Sequence, residues 1–289
     1  MVAEDTAPPA AKMGSDLKVR VLSAIVLAPV ALGATWVGGW LFAVLLAAAA
    51  LIMAQELTRL LYALSGAGSV GTREAVGLGL TALVAIALAT AGLPAGALAA
   101  GGAALGFALA GRSWSGRSLL PALVAYPYLV LPLVALIWLR NDPAWGLAAV
   151  LWILATVWAI DICAYFAGRL IGGPKLAPRI SPKKTWAGLL GGMAGAAAVG
   201  VVTSLWMGIG SPTLLALVGI GMTVVEQAGD FLESALKRRA GVKDSGSLIP
   251  GHGGILDRVD GLVTVAAGAA LLALLHNAAH PGAGVLIWP

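Results

Sequence analysis

The sequence predicts an all-α fold, a polytopic integral membrane bundle of about nine transmembrane helices. Three observations predict it. Of 289 residues, 60% are hydrophobic and 11% charged, and the mean hydropathy is +0.93, whereas a water-soluble domain carries about 25% charged residues. The apolar residues fall in continuous runs near the ~20 residues that a helix needs to cross hydrocarbon. They lack the alternation of a barrel strand, and an open sheet cannot satisfy its backbone in lipid. Finally, Lys and Arg cluster in alternate loops, the charge bias that orients membrane helices.

Taken in order, residues 1–18 are polar, with Pro8, Pro9 and mixed charge. They read as a disordered cytoplasmic tail rather than a cleavable signal, because no short apolar run ends at a cleavage site. Residues 19–289 read as one membrane domain. Its spans are expected near 19–36, 40–62, 74–92, 94–111, 119–139, 144–170, 186–208, 212–236 and 256–277. With that count every Lys and Arg except Arg140 falls on one side. The positive-inside rule makes that side cytoplasmic, which in a bacterium is the inner face of the cytoplasmic membrane. Arg140 is alone outside, and Arg140→Ala is therefore expected to be nearly silent. The Ala/Gly-rich stretches 95–111 and 186–200 read as packing surfaces. Gly188 with Gly192, and Gly191 with Gly195, stand at small-xxx-small spacing, which lets helix backbones approach and leaves room for a homodimer. The single cysteine, Cys163, makes no internal disulfide and no zinc site and reads as packing. A formal charge of +5 without a soluble basic domain or an aromatic-interleaved patch argues against nucleic acid. Bases beside apolar spans suit anionic lipid and nucleotide phosphates instead.

The stretch from Glu226 to Asp260 carries the chemistry. It holds six of the thirteen acids, five of the eighteen bases and one of the three histidines. Charge at that density beside lipid-like sequence is costly unless it binds something. Glu226, Asp230, Glu233 and Lys237 follow at intervals of four, three and four, on one helical face. A helix-end ion pair accounts for Glu233 with Lys237, but not for Asp230 deeper in the span. Lys237-Arg238-Arg239 suits the helix C-terminus. Lys243-Asp244 then leads to Pro250-Gly251-His252-Gly253-Gly254, either a plain reverse turn or an anion nest. Asp257, Arg258 and Asp260 open the next span. Asp257 can face Asp230 across a groove between antiparallel helices, and two such carboxylates offer the hard oxygens that Mg²⁺ prefers. Upstream, Gly172-Gly173-Pro174-Lys175 and Ser181-Pro182-Lys183-Lys184-Thr185 precede a helix, an arrangement suited to phosphate. It is not a Walker A loop. Asp161, two turns before this loop, is either part of the site or a polar contact between helices. HExxH, CxxC and GxSxG with a partner base are absent, and His276 and His280 stand at the far end as bystanders.

These blocks resemble the phosphatidate cytidylyltransferase, or CDP-diacylglycerol synthase, family. The family signature appears as Ser234, Lys237-Arg238, Lys243-Asp244, Gly251-His252-Gly253-Gly254, Asp257-Arg258 and Asp260, in matching spacing. The Ser181–Thr185 block and the Gln227–Asp230 block are further matches, so that the catalytic part is about 161–260. The resemblance implies CMP transfer from CTP to phosphatidic acid in the bilayer, with Mg²⁺ and room for a second cation. It implies Asp230 and Asp257 as metal carboxylates, and Lys237, His252, Arg258 and Asp260 as further catalytic residues. It implies Ser181, Lys183, Lys184, Thr185, Ser234, Arg238, Lys243, Asp244, Gly251, Gly253 and Gly254 as substrate-binding. Two positions depart from the pattern. Asp161 is followed by Ile162-Cys163 rather than Thr-Gly, and Ala187 replaces an acid. A CTP-dependent lipid kinase of the dolichol-kinase kind and a secondary transporter remain as alternatives. A transporter would place charges near the midplane, whereas here they crowd one interface. A CDP-alcohol phosphotransferase lacks its motif here.

Overall fold

The computed structural model of the protein describes residues 25–64, 72–114, 119–246 and 253–289. In hydrocarbon each backbone N–H must find a carbonyl within its own segment, and the apolar runs accordingly fold as helices. These are α1 (Ile25–Val37), α2 (Gly39–Leu64), α3 (Thr72–Thr90), α4 (Pro94–Trp114), α5 (Leu120–Arg140), α6 (Gly146–Leu170), α7 (Trp186–Met207), α8 (Pro212–Arg239), α9 (Leu256–Asn277) and a short α10 (Pro281–Leu286). Seven helices, α2, α3 and α5 to α9, are long and apolar enough to cross a membrane. The expected first and fourth spans fall on α1 and α4, whose described apolar parts are Ile25–Val37 and Pro94–Ala110; residues 19–24 of the expected first span lie outside the described residues. The described residues thus hold seven helices of spanning length, with two shorter apolar helices at the places of the other two expected spans.

Two elements were not expected. Strands β1 (Lys175–Ala177) and β2 (Ser181–Thr185) pair antiparallel, with Lys175 opposite Thr185 and Ala177 opposite Ser181. The basic loop is thus a hairpin that ends directly in α7. Thr185 caps that helix, its hydroxyl accepting from Gly188 N–H at 3.0 Å, as N-cap threonines do. The other is α10, which packs on α9 and α6.

Helix α5 is packed against α2, α3, α4, α6 and α9, with Leu129, Val130 and Leu139 fully enclosed. Helices α6, α7 and α8 form the second half of the bundle, and glycines set their spacing. A methyl at Gly195 would lie 2.7 Å from Cys163 Sγ, and one at Gly219 would lie 2.6 Å from the Ala196 carbonyl. Such approaches need small residues, and they give Cys163 the packing role expected of it.

At the α10 end, Asp142 accepts from the Ala144 and Trp145 N–H groups in the turn before α6, both at 3.0 Å, and from Gly282 N–H at 2.9 Å. Arg140 is not idle. Its guanidinium donates to the Thr35 carbonyl at 2.7 Å and the Trp36 carbonyl at 2.8 Å, closing the C-terminal end of α1. Those carbonyls have no intrahelical partner. At the opposite end converge the second half of α2, the C-terminal turns of α6 and α8, the hairpin and the start of α9. With 28 residues, α8 is about 42 Å long at 1.5 Å per residue, more than the ~30 Å hydrocarbon core. Its charged last turns therefore extend past the lipid interior.

Candidate active site

Helix α8 organises the site because Glu226, Asp230, Glu233 and Lys237 share one face. Glu226 and Glu233 are buried against α9, and Asp230 and Lys237 alternate with them toward openings. Close helix contact makes this interface. Gly229 faces Thr264, and a methyl at Gly261 would lie 3.0 Å from Glu226 Cγ. Two cavities flank the α8 face. The larger, about 410 Å³, lies between α6, α7 and α8 and is lined by Asp161, Tyr165, Arg169, Lys183, Lys184, Thr185, Glu226, Gln227 and Asp230, among others. The smaller, about 180 Å³, is lined by Ser181, Pro182, Lys183, Ser234, Lys237, Arg238, Lys243 and Asp244. Lys183 lines both.

Asp230 forms an ion pair with Lys184 and accepts from Ser234 Oγ at 3.0 Å. The Lys184 ammonium also stands 5.2 Å from the centre of the Phe231 ring, close enough for a cation–π contact. Lys237 bridges two acids, Asp257 Oδ1 at 2.7 Å and Glu233 Oε1 at 3.3 Å. Asp257 accepts in addition from Ser245 N–H at 2.9 Å, Ser245 Oγ at 2.9 Å and Gly254 N–H at 2.8 Å. Glu233 and Asp260 lie within electrostatic reach of each other. Asp161, Glu226, Asp230 and Asp260 lie within electrostatic reach of one another, and Arg258 within reach of Asp161.

Most of the residues expected from the sequence thus gather in one region. Asp230, Lys183, Lys184 and Thr185 line the larger cavity, with Asp161 among them despite its altered neighbours. Ser181, Ser234, Lys237, Arg238, Lys243 and Asp244 line the smaller one. Arg258 and Asp260 belong to the same charged cluster. Gly251 and His252 lie outside the described residues. Gly253 sits at φ +86°, which favours glycine. The Gly254 N–H is committed to Asp257, and a methyl there would meet Glu56. Its glycine therefore answers to close packing as well as to any anion. His276 stacks on Trp288 and contacts the Gly284 carbonyl, at the far end from the site, as expected of a bystander.

Sequence reasoning missed Glu56. It is 3% exposed in α2, and its carboxylate accepts from Ile255 N–H at 3.1 Å and Leu256 N–H at 2.8 Å. The signal was present, since Glu56 is a lone acid in an apolar run, and such acids are rare without a partner.

The two carboxylates expected to hold a metal differ in setting. Asp230 is 25% exposed, faces the cavity, and has an ammonium as its partner, the sign of charge that a metal ion brings. Asp257 is 4% exposed and its oxygens already accept from Lys237, Ser245 and Gly254. Among the described residues no three His, Cys, Asp or Glu side chains form a metal-binding group. Mg²⁺ commonly binds through one or two carboxylates plus substrate phosphates, and the oxygen donors at Asp230 fit that pattern.

The chain also matches known proteins. A family model described as the cytidylyltransferase family matches residues 18–276. A phosphatidate cytidylyltransferase of Brucella suis is 41% identical over 265 residues, covering 88% of this chain and 92% of that protein. Proteins of the same name from Haemophilus influenzae and Bacillus subtilis are each 41% identical. The first match covers 42% of this chain and 44% of that protein, the second 44% and 48%. A match over nearly the whole length, together with the charged cavities, places this chain in the cytidylyltransferase family.

Proposed function

We propose that the protein transfers CMP from CTP to phosphatidic acid, giving CDP-diacylglycerol and pyrophosphate, at the cytoplasmic face of a bacterial inner membrane. The observation that carries this reading is the cavity of about 410 Å³ that opposes Asp161, Glu226 and Asp230 to Arg169, Lys183 and Lys184. The relatives named phosphatidate cytidylyltransferase supply the substrate class.

In this reaction a phosphate oxygen of phosphatidic acid attacks the α-phosphorus of CTP. The bond from that phosphorus to the bridging oxygen breaks, and pyrophosphate leaves with the electron pair. The attacking monoester is already anionic at neutral pH, so no strong base is needed. The work is alignment and the neutralisation of crowded negative charge. Lys183 lines both cavities and suits a phosphate that spans them. Lys184 and Lys237 are held by carboxylates in the resting arrangement, and each can turn to substrate oxygens as these arrive. Arg258 adds a further cation close to the acid cluster. Bound Mg²⁺ would offset charge on the triphosphate and polarise the reacting phosphoryl group. Asp230 would hold it, and Asp257 would join only by giving up Lys237. The charged end of the bundle suits a water-borne nucleotide, while the apolar flanks of α6 and α7 suit acyl chains.

The test is to incubate purified protein with CTP, phosphatidic acid and MgCl₂ and follow products by mass spectrometry. CDP-diacylglycerol and pyrophosphate in equal amounts are expected, with both falling about 100-fold or more in Asp230→Asn. Release of CDP with a newly phosphorylated lipid would refute the reading in favour of a kinase.

A further inference from the structure

We propose that Glu56 is a positioning residue for the transfer site, acting from α2 on Ser245, Asp257 and the start of α9; this rests on the cytidylyl-transfer reading. A carboxylate inside an apolar helix is costly unless it is partnered. Glu56 is 3% exposed, and among the described residues its hydrogen-bond partners, Ser245, Ile255 and Leu256, lie in the signature region. The Ile255 N–H donates to Oε1 at 3.1 Å and the Leu256 N–H to Oε2 at 2.8 Å. The first N–H groups of a helix have no partner within it, and Ile255 supplies no side-chain cap to α9. Glu56 supplies one from 200 residues earlier in the chain. Its charge also suits the positive end of the helix dipole.

The contact reaches the charged pair through Ser245. The Ser245 hydroxyl stands 2.9 Å from Asp257 Oδ2 and 3.4 Å from Glu56 Oε2. With one proton to give, it serves the nearer Asp257 while lying against Glu56. A methyl at Gly254 would come within 2.6 Å of both Glu56 oxygens, and Gly246 also faces Glu56. Both flanks of the loop are thus glycine where they pass this carboxylate. Asp257 is fixed between Ser245 and Gly254, and it in turn fixes the Lys237 ammonium beside the smaller cavity. If the start of α9 shifts, Asp257 shifts with it, and Lys237 moves off its station.

The test uses the full chain, three single variants, E56Q, E56D and S245A, and the E56Q/S245A double variant. The amide of E56Q turns an NH₂ group toward backbone N–H donors while keeping the shape. Activity per folded molecule is expected to fall about tenfold or more, the scale of a lost hydrogen bond to a charged group. The loss should appear in kcat, with KM for phosphatidic acid unchanged and part of the loss recovered in E56D. A merely structural role would lower the folded amount and leave kcat per folded molecule alone. The E56Q/S245A double variant is expected to lose less than the product of the single losses, because both act on Asp257. Wild-type kcat in E56Q, or a fully multiplicative double variant, overturns the proposal. Hydrogen–deuterium exchange over 253–260 needs no substrate and keeps this test separate from the reaction itself. Faster exchange in E56Q is expected, and unchanged exchange overturns the positioning role. Absence of transfer by the wild type refutes the reaction instead. Should E56Q fail to accumulate, E56D carries the same measurements, and wild-type kcat with wild-type exchange overturns the proposal.

Discussion

Lys237→Met deletes one ammonium and keeps most of the apolar stem. That ammonium stands 2.7 Å from Asp257 and 3.3 Å from Glu233, whose side chains are 4% and 1% exposed. At an effective dielectric of about 20, the two attractions are worth roughly 6 and 5 kcal/mol before desolvation. Desolvation offsets most of this, and removing one partner of a buried pair costs about 3–5 kcal/mol. That range is a large part of the ~5–15 kcal/mol that keeps a protein folded. Here one cation serves two acids, with Asp260 beside them, so the upper half of the range applies. The assay pairs thermal unfolding in detergent with CMP transfer to phosphatidic acid, normalised to folded protein. The unfolding midpoint should fall, and transfer should drop about 100-fold or more if that energy is lost from the arrangement that turns over. Lys237→Arg, which keeps the charge, should retain most of the midpoint. A Met variant with wild-type midpoint and wild-type kcat would refute both the bridging role and the argument from burial.

Asp230→Asn should fold normally, because Asp230 is partly exposed, yet lose about 100-fold or more in kcat, as removal of a group that stabilises the transition state does; near-normal kcat would exclude Asp230 as metal carboxylate. Arg140→Ala should lower stability by about 1–3 kcal/mol through the two carbonyls of α1 that lose a charged donor, with kcat unchanged; chemical denaturation alongside the transfer assay checks both. Gly191→Ala would press a methyl on Ala167 and come 2.9 Å from the Cys163 carbonyl. It should cost about 1–3 kcal/mol as overpacking does and lower kcat, since the larger cavity lies between α6 and α7.

Much of this was legible in the sequence because lipid imposes simple rules. Apolar length gave the positions of the helices, and the placement of Lys and Arg separated the two ends. The α8 stripe was legible because four charged residues at helical spacing stand out in an Ala/Leu background. What the sequence left open depended on contacts between distant segments. Glu56 meets Leu256 across 200 residues, and nothing near position 56 announces that partner. The β1–β2 hairpin was read as a loop, since Lys, Ser and Pro give it little strand character. Arg140 looked idle because the carbonyls it closes, at Thr35 and Trp36, lie far upstream. The expected facing of Asp230 and Asp257 followed from antiparallel geometry alone. It did not include the Ser245 and Gly254 donors that tie Asp257 into the loop.

The most direct measurement follows the fate of two labels. CTP carrying ³²P at the α position, and separately at the γ position, is given to membranes containing the protein and phosphatidic acid. The α label should enter the lipid phase and the γ label should leave as pyrophosphate. Entry of the γ label into lipid, or retention of both labels in water while phosphatidic acid is unchanged, would contradict cytidylyl transfer at this site.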